Sequence, residues 1–209
     1  MTSPFTARYW WGKKRDFFLK CKESCAAPCA SSAAMWNSMW SWKRRHRAML
    51  IRDAKGNEFL EIISVEEGRA DELFSPITHC LGVVKLGDRY LLGWNQYRWD
   101  WEIFGGCREE GEPLRACMER ECREELGLSG LNWTFLGLMR LKLTPGYFNP
   151  EWHEEYGGLY GVSLPAESLE AIEKRRVDRE EIGRLAFYGE IKGGEEIAPI
   201  DEKLLEFWK

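Results

Sequence analysis

The stretch from Gly106 to Leu128 sets the tightest constraint on this chain. It reads Gly-Cys-Arg-Glu-Glu-Gly-Glu-Pro-Leu-Arg-Ala-Cys-Met-Glu-Arg-Glu-Cys-Arg-Glu-Glu-Leu-Gly-Leu. Pro113 suits the first turn of a helix, and Leu114 to Leu126 is helical in character. At 3.6 residues per turn, Leu114, Cys117, Met118, Cys122 and Leu126 form one apolar stripe. Glu121 and Glu125 fall inside that stripe, whereas Glu119 and Arg123 point away. Gly127 is a natural helix C-cap. Upstream, Trp101 to Phe104 is a short apolar run. Gly105-Gly106 predicts that this strand stops in a flexible turn, where the backbone can approach a ligand and offer a carbonyl.

Glu121, Glu124 and Glu125 are spaced i, i+3, i+4, so they converge on one patch of the helix. Like charges so placed repel each other. Carboxylates on a packed face are costly unless they are paired or bound to a metal. A hard divalent cation with oxygen ligands resolves both problems, and Mg2+ is the usual choice. The bland alternative is a charged, solvated surface helix; the apolar stripe and the glycines argue against it. Glu112 and Arg120 are expected to pair across the turn and hold the helix start.

These residues resemble the Nudix box, G-x5-E-x7-R-E-U-x-E-E-x-G-U with U apolar. Gly106, Glu112, Arg120-Glu121, Glu124-Glu125 and Gly127 fill the fixed positions, and Cys122 and Leu128 fill the apolar slots. Cys122 departs from the usual Ile, Leu or Val, but a buried free cysteine behaves as a small hydrophobe. The resemblance implies an α/β fold, an α/β/α sandwich with a mixed β-sheet. It implies hydrolysis of a nucleoside diphosphate linked to another moiety X, with Mg2+ or Mn2+. Glu121, Glu124 and Glu125 are then expected metal ligands, joined by a backbone carbonyl of Gly106 or Gly105. Glu121, Glu124, Arg120 and Glu112 form the expected catalytic group, with Arg120 orienting the acidic cluster. The general base stays open between Glu121 and a carboxylate of the later loop, Glu151, Glu154 or Glu155; His153 is a further option.

Substrate contacts are expected from Gly105, Arg98, Glu154 and Glu155, and from Tyr147 and Trp152 as stacking faces. Tyr90, Trp94, Tyr97, Trp99 and Trp101 cluster just ahead of the motif, and core packing is the simpler reading for each. Arg98 and Lys142 suit phosphates. The substrates to weigh are a damaged or non-standard nucleoside triphosphate, a nucleotide sugar and ADP-ribose. Two other functions compete. One is a non-catalytic nucleotide-binding or regulatory module on the same fold, which usually loses box carboxylates. The other is an isoprenoid diphosphate isomerase, which needs a dedicated cysteine, for which Cys107 is available.

Composition changes near residue 48. Residues 1–48 hold ten Lys or Arg, two Asp or Glu and five of the eleven tryptophans. This segment is expected to be an extension with little fixed structure, and residues 49–209 the domain. Its basic, acid-poor content is like an organellar transit peptide; a native start at Met49 is the favoured alternative. The whole chain carries a net charge of −4, which does not suggest DNA binding. No apolar run suits a transmembrane helix. The odd count of seven cysteines, without framework spacing, suggests free thiols in a reducing cytoplasm. The expected partner is a nucleotide-type small molecule, with a homodimer left open.

Overall fold

The computed structural model describes residues 50–146, 149–166, 169–176, 179–191 and 195–209. The expected extension over residues 1–48 lies outside them, as does Tyr147. The elements run β1 (Ile51–Arg52), β2 (Glu58–Ile63), a short helix α1 (Ala70–Leu73), β3 (Ile77–Leu86), β4 (Arg89–Asn95), β5 (Asp100–Glu102) and β6 (Phe104–Cys107). Next come α2 (Leu114–Leu126), β7 (Thr134–Leu143), β8 (His153–Leu164), α3 (Leu169–Glu173), β9 (Ile182–Phe187) and α4 (Pro199–Leu204).

The strands form one mixed sheet with the path β1-β2-β7-β8-β3-β4-β5, while β6 pairs with β3 and β9 with β4. β3 and β8 run parallel, and the other strand pairs are antiparallel. Gly87 closes the β3–β4 hairpin at φ 59°, a conformation that favours glycine. Beyond the hairpin the two strands splay. β3 pairs with β4 only through Val84–Leu86 and with β6 through His79–Gly82. β5 pairs with the far half of β4. Ile103 alone separates β5 from β6, so one extended run fills the fork.

That run corrects one expectation. Gly105 and Gly106 do not end a strand; they lie inside β6, opposite Leu81 and Cys80. Long-range pairing overrides the local glycine signal. Both glycines answer to close approach. Gly105 has φ 138°, and a Cβ there would collide with the Cys80 carbonyl.

Side chains alternate across the sheet into two cores. On one face Cys80, Val84, Leu138, Tyr160 and Val162 pack against Leu114, Cys117, Met118, Cys122 and Leu126 of α2. On the other Val83, Leu92, Met139 and Leu159 pack with Leu204 and Leu205 at the end of α4. The result is the expected α/β/α layering. The helical stripe is the one read from spacing, and burying Leu114, Met118 and Leu126 contributes on the order of 1.5–3 kcal/mol each. Gly127 ends α2 at φ 65°, its N–H donating to the Arg123 carbonyl at 3.0 Å. No helix among the described residues is long and apolar enough to cross a membrane.

The fork also encloses charge. Asp201 of α4 accepts a hydrogen bond from the Ile103 N–H at 3.0 Å. Burial, with Glu102 nearby, pushes its carboxyl up to about 8. The folded state therefore holds this proton more tightly than the unfolded chain, whose Asp ionises near ~3.9. Stability is expected to fall as pH rises from about 4 to about 8, because the unfolded state releases the proton first. Asp201→Asn should flatten that slope in thermal unfolding followed against pH. An unchanged slope would refute the assignment.

Candidate active site

Two local features position the acidic residues. α2 buries its apolar stripe on the sheet, which carries Glu121 and Glu125 toward β6. β6 lacks side chains at Gly105 and Gly106, so the carboxylates can reach its backbone. A Cβ on Gly106 would lie 2.6 Å from Glu121 Oε1. The Gly105 N–H donates to Glu125 Oε2 at 2.8 Å. Glu119 and Arg123 point to solvent, as their spacing predicts.

Arg120 braces the cluster. Its Nε and Nη2 donate to the two oxygens of Glu112, both at 2.9 Å, a bidentate pair. Nη1 donates to Glu121 Oε1 at 2.7 Å, and Nη2 also donates to the Cys107 carbonyl at 2.9 Å. Glu124 Oε2 stands 3.6 Å from Nη1. The expected Glu112–Arg120 pair thus forms, and the same guanidinium ties the start of α2 to its acidic face. The Gly106 carbonyl faces the Cys117 thiol, with Sγ at 3.8 Å.

The electrostatics grade the three carboxylates. Glu125 is buried, and its carboxyl is held well above the usual range, by burial first and by Glu121 second. Glu121 is also raised, chiefly by burial, with Arg120 opposing the shift. The Glu124 side chain is 49% exposed and faces solvent. Among the described residues no three Cys, His, Asp or Glu side chains stand together as a ready-made metal cage. Glu121 and Glu125 lie against the Gly105–Gly106 backbone, and Glu124 stands beside Arg120.

Two of the later carboxylates have partners of their own. Arg140 of β7 grips Glu154 at 2.8 Å and Glu61 at 2.9 Å. Glu155 sits between two imidazoles, 3.7 Å from His79 Nδ1 and 3.9 Å from His153 Nε2. His79 lies opposite Cys107 in the β3–β6 register, next to the strand position that faces Gly106. Trp152 is 50% exposed, with the Lys142 ammonium 4.9 Å from its ring centroid. Arg98 donates to Glu102 at 2.7 Å.

Three polar residues near the site escaped the sequence reading. Glu102 is 5% exposed, and with Glu181 it presses electrostatically on Glu125. The Asn95 side-chain amide donates to both, at 2.5 Å to Glu102 and 3.2 Å to Glu181. Glu102 did carry a signal, a charge embedded in the apolar run Trp101–Phe104. Glu181 carried none. The four described cysteines are free thiols. Cys122 is pushed up to about 12, mainly by burial, so it serves packing and is not a nucleophile.

A mixed sheet between helical layers, with a glutamate-bearing helix laid on a glycine strand, defines a Nudix-type domain. The NUDIX domain model matches residues 78–189, more than half of the chain, and the chain belongs to the Nudix family. The chain is also similar to solved structures. A pyrophosphohydrolase of Bacillus subtilis is 18% identical with a TM-score of 0.50, over 75% of this chain and 94% of its own. A MutT NUDIX hydrolase of Burkholderia pseudomallei is 20% identical with a TM-score of 0.47, over 61% of this chain and 94% of its own. No curated protein matches the sequence.

Proposed function

We propose that the protein is a hydrolase dependent on a divalent metal, cleaving a pyrophosphate bond in a nucleoside diphosphate joined to a second moiety. One observation carries this reading: Glu121 and Glu124 of α2 meet one guanidinium, Arg120, while Glu125 on the same helix meets the Gly105 N–H. The residues fit a hard cation. The donors are all oxygens, and the Glu125 carboxyl is held well above the usual range by burial and by Glu121, a position that a cation would relieve. In this reading the three glutamates hold Mg2+ or Mn2+, with the Gly106 carbonyl as a further oxygen. Such an ion, when bound, neutralises phosphate oxygens and lowers the pKa of water.

The chain's own residues do the rest. Arg120 fixes Glu121 against Glu112 and stops it swinging away. The Gly105 N–H fixes Glu125. Glu121 is the first candidate to take the proton from the attacking water. Of the later carboxylates, Glu154 is committed to Arg140, and Glu151 and Glu155 stay open as alternative bases. The free thiols suit a reducing compartment such as the cytoplasm.

The test is the appearance of a nucleoside monophosphate, with pyrophosphate or a sugar phosphate as the other product, from nucleoside triphosphates, nucleotide sugars and ADP-ribose, with Mg2+ and with chelator. Wild type should turn over one class only with metal, and Glu124→Gln should lower kcat by on the order of 10²–10⁴-fold. Ligand binding without turnover under any divalent ion would instead point to a non-catalytic module.

A further inference from the structure

The chain between α3 and β9 closes on the end of α2. A helix leaves its last carbonyls without intrahelical partners. α2 ends at Leu126, so the Glu125 carbonyl is one of these, and Glu125 is buried. Its partner comes from far along the chain: Arg176 Nε donates to it at 3.0 Å. Glu125 is therefore held twice, by the Gly105 N–H at its side chain and by Arg176 at its main chain.

Arg176 is itself firmly set. Its side chain is 0% exposed. Nη1 donates to Glu173 Oε1 at 2.8 Å, and Nη2 donates to the Ile182 carbonyl at the start of β9. Ile182 in turn pairs with Asn95 of β4. One guanidinium thus joins α2, α3 and β9. The neighbouring backbone is as close, since a Cβ on Gly127 would lie 2.2 Å from the Arg175 carbonyl oxygen. Packing alone does not call for a buried cation, because apolar residues of similar volume often serve as well or better. What they lack is a rigid fork of donors that fixes the direction of each bond. A cation at a helix C-terminus also matches the dipole there.

We propose that Arg176 is a positioning residue for the metal site: it fixes the end of α2, and through the Glu125 main chain it sets where the Glu125 carboxylate meets a divalent cation. The inference rests on the metal-dependent reading and adds to it a residue 51 positions from Glu125 in sequence. Arg176 touches neither cation nor substrate. Its effect is geometric. Ligands must be held within about 0.5 Å of the productive geometry, and a glutamate side chain on an unfixed main chain spreads its oxygens further than that. Glu124, the preceding residue, rides on the same turn and gains from the same anchor.

The experiment measures Mn2+ binding to the full chain by calorimetry, with no substrate present. Arg176→Met should weaken binding about 10- to 100-fold, the scale of a lost outer partner of a metal site. Arg176→Lys keeps the cation without the fork, so its affinity should fall between the two. Ile172→Ala is the control for stability. Ile172 is a wholly buried side chain of α3, and its truncation opens a cavity and lowers the melting temperature while leaving the Glu125 carbonyl bonded. Its Mn2+ affinity should match wild type. In turnover, the Mn2+ concentration that gives half the maximal rate should rise in Arg176→Met, while kcat at saturating metal holds. Equal Mn2+ affinity in wild type and Arg176→Met, or an equal loss in Ile172→Ala, would overturn the assignment. If Arg176→Met does not fold, Arg176→Lys decides: weakened binding supports the role, and wild-type binding overturns it. A protein whose Mn2+ affinity depends on Arg176 but that turns over no nucleotide would sink the hydrolase reading and leave the positioning role standing. Metal-dependent turnover with an affinity indifferent to Arg176 would do the reverse.

Discussion

Glu125→Gln is expected to cut turnover by more than about 10²-fold, since even outer partners of a metal site are worth 10–100-fold. The same change should leave the metal-free fold as stable as wild type, or more stable. Glu125 sits buried beside Glu121, and its carboxyl accepts from the Gly105 N–H at 2.8 Å. A glutamine oxygen can accept that bond without bringing a charge into the core. The sign with pH follows from the raised carboxyl. In chelator the folded state holds the proton longer than the unfolded chain, whose Glu ionises near ~4.3. Wild-type stability should therefore fall as pH climbs from that value toward the folded one, and Glu125→Gln should weaken the fall. Adding Mg2+ should raise the wild-type midpoint and move the variant much less. A variant that keeps full activity, or that melts well below wild type in chelator, would contradict this account of Glu125.

Arg120→Met is expected to be the most destabilising change at the site. The guanidinium holds Glu112 through two bonds of 2.9 Å and Glu121 through one of 2.7 Å. The side chains are 18%, 12% and 13% exposed, in the order Arg120, Glu112, Glu121. Removing one partner of such a buried network costs about 3–5 kcal/mol, because the remaining carboxylates are left uncompensated. For a domain of this size that is a fall in Tm of roughly 6–20 °C. Adding Glu112→Gln to Arg120→Met should recover part of the loss, since one stranded charge disappears. A Tm change below ~2 °C would show that the network contributes little.

The helix and its acidic face were legible because their determinants are local. Spacing alone gave the span Leu114–Leu126, the buried stripe, the outward Glu119 and Arg123, and the Gly127 cap. The Glu112–Arg120 pair was also legible, being only eight residues apart across the start of α2. What escaped depended on partners far off in sequence. Gly105-Gly106 looked like a turn, yet β3 recruits it as a strand, with a register set by residues 79–82. The three-way contact of Asn95, Glu102 and Glu181 needs β9 to return beside β4. Glu154 was expected near substrate, and only the β7–β8 ladder reveals Arg140 as its partner. The aromatic run from Tyr90 to Trp101 could not be divided by period: Trp94 and Trp101 pack edge to face, whereas Trp99, in the connection shaped by the buried Asn95, is 73% exposed.

The parallel contact of β3 with β8 has a consequence for how the chain is made. Leu81 meets Leu159, partners about 80 residues apart, which raises contact order and slows folding. During synthesis the central strand must wait, one edge unsatisfied, until residues through Leu164 have left the ribosome. An apolar edge left waiting is a template for aggregation. A fragment that stops before His153 keeps the whole glutamate motif but loses the strand that closes the sheet's middle. The motif is therefore not a module that can be excised, and chaperone demand during expression should track the length of nascent chain between β3 and β8.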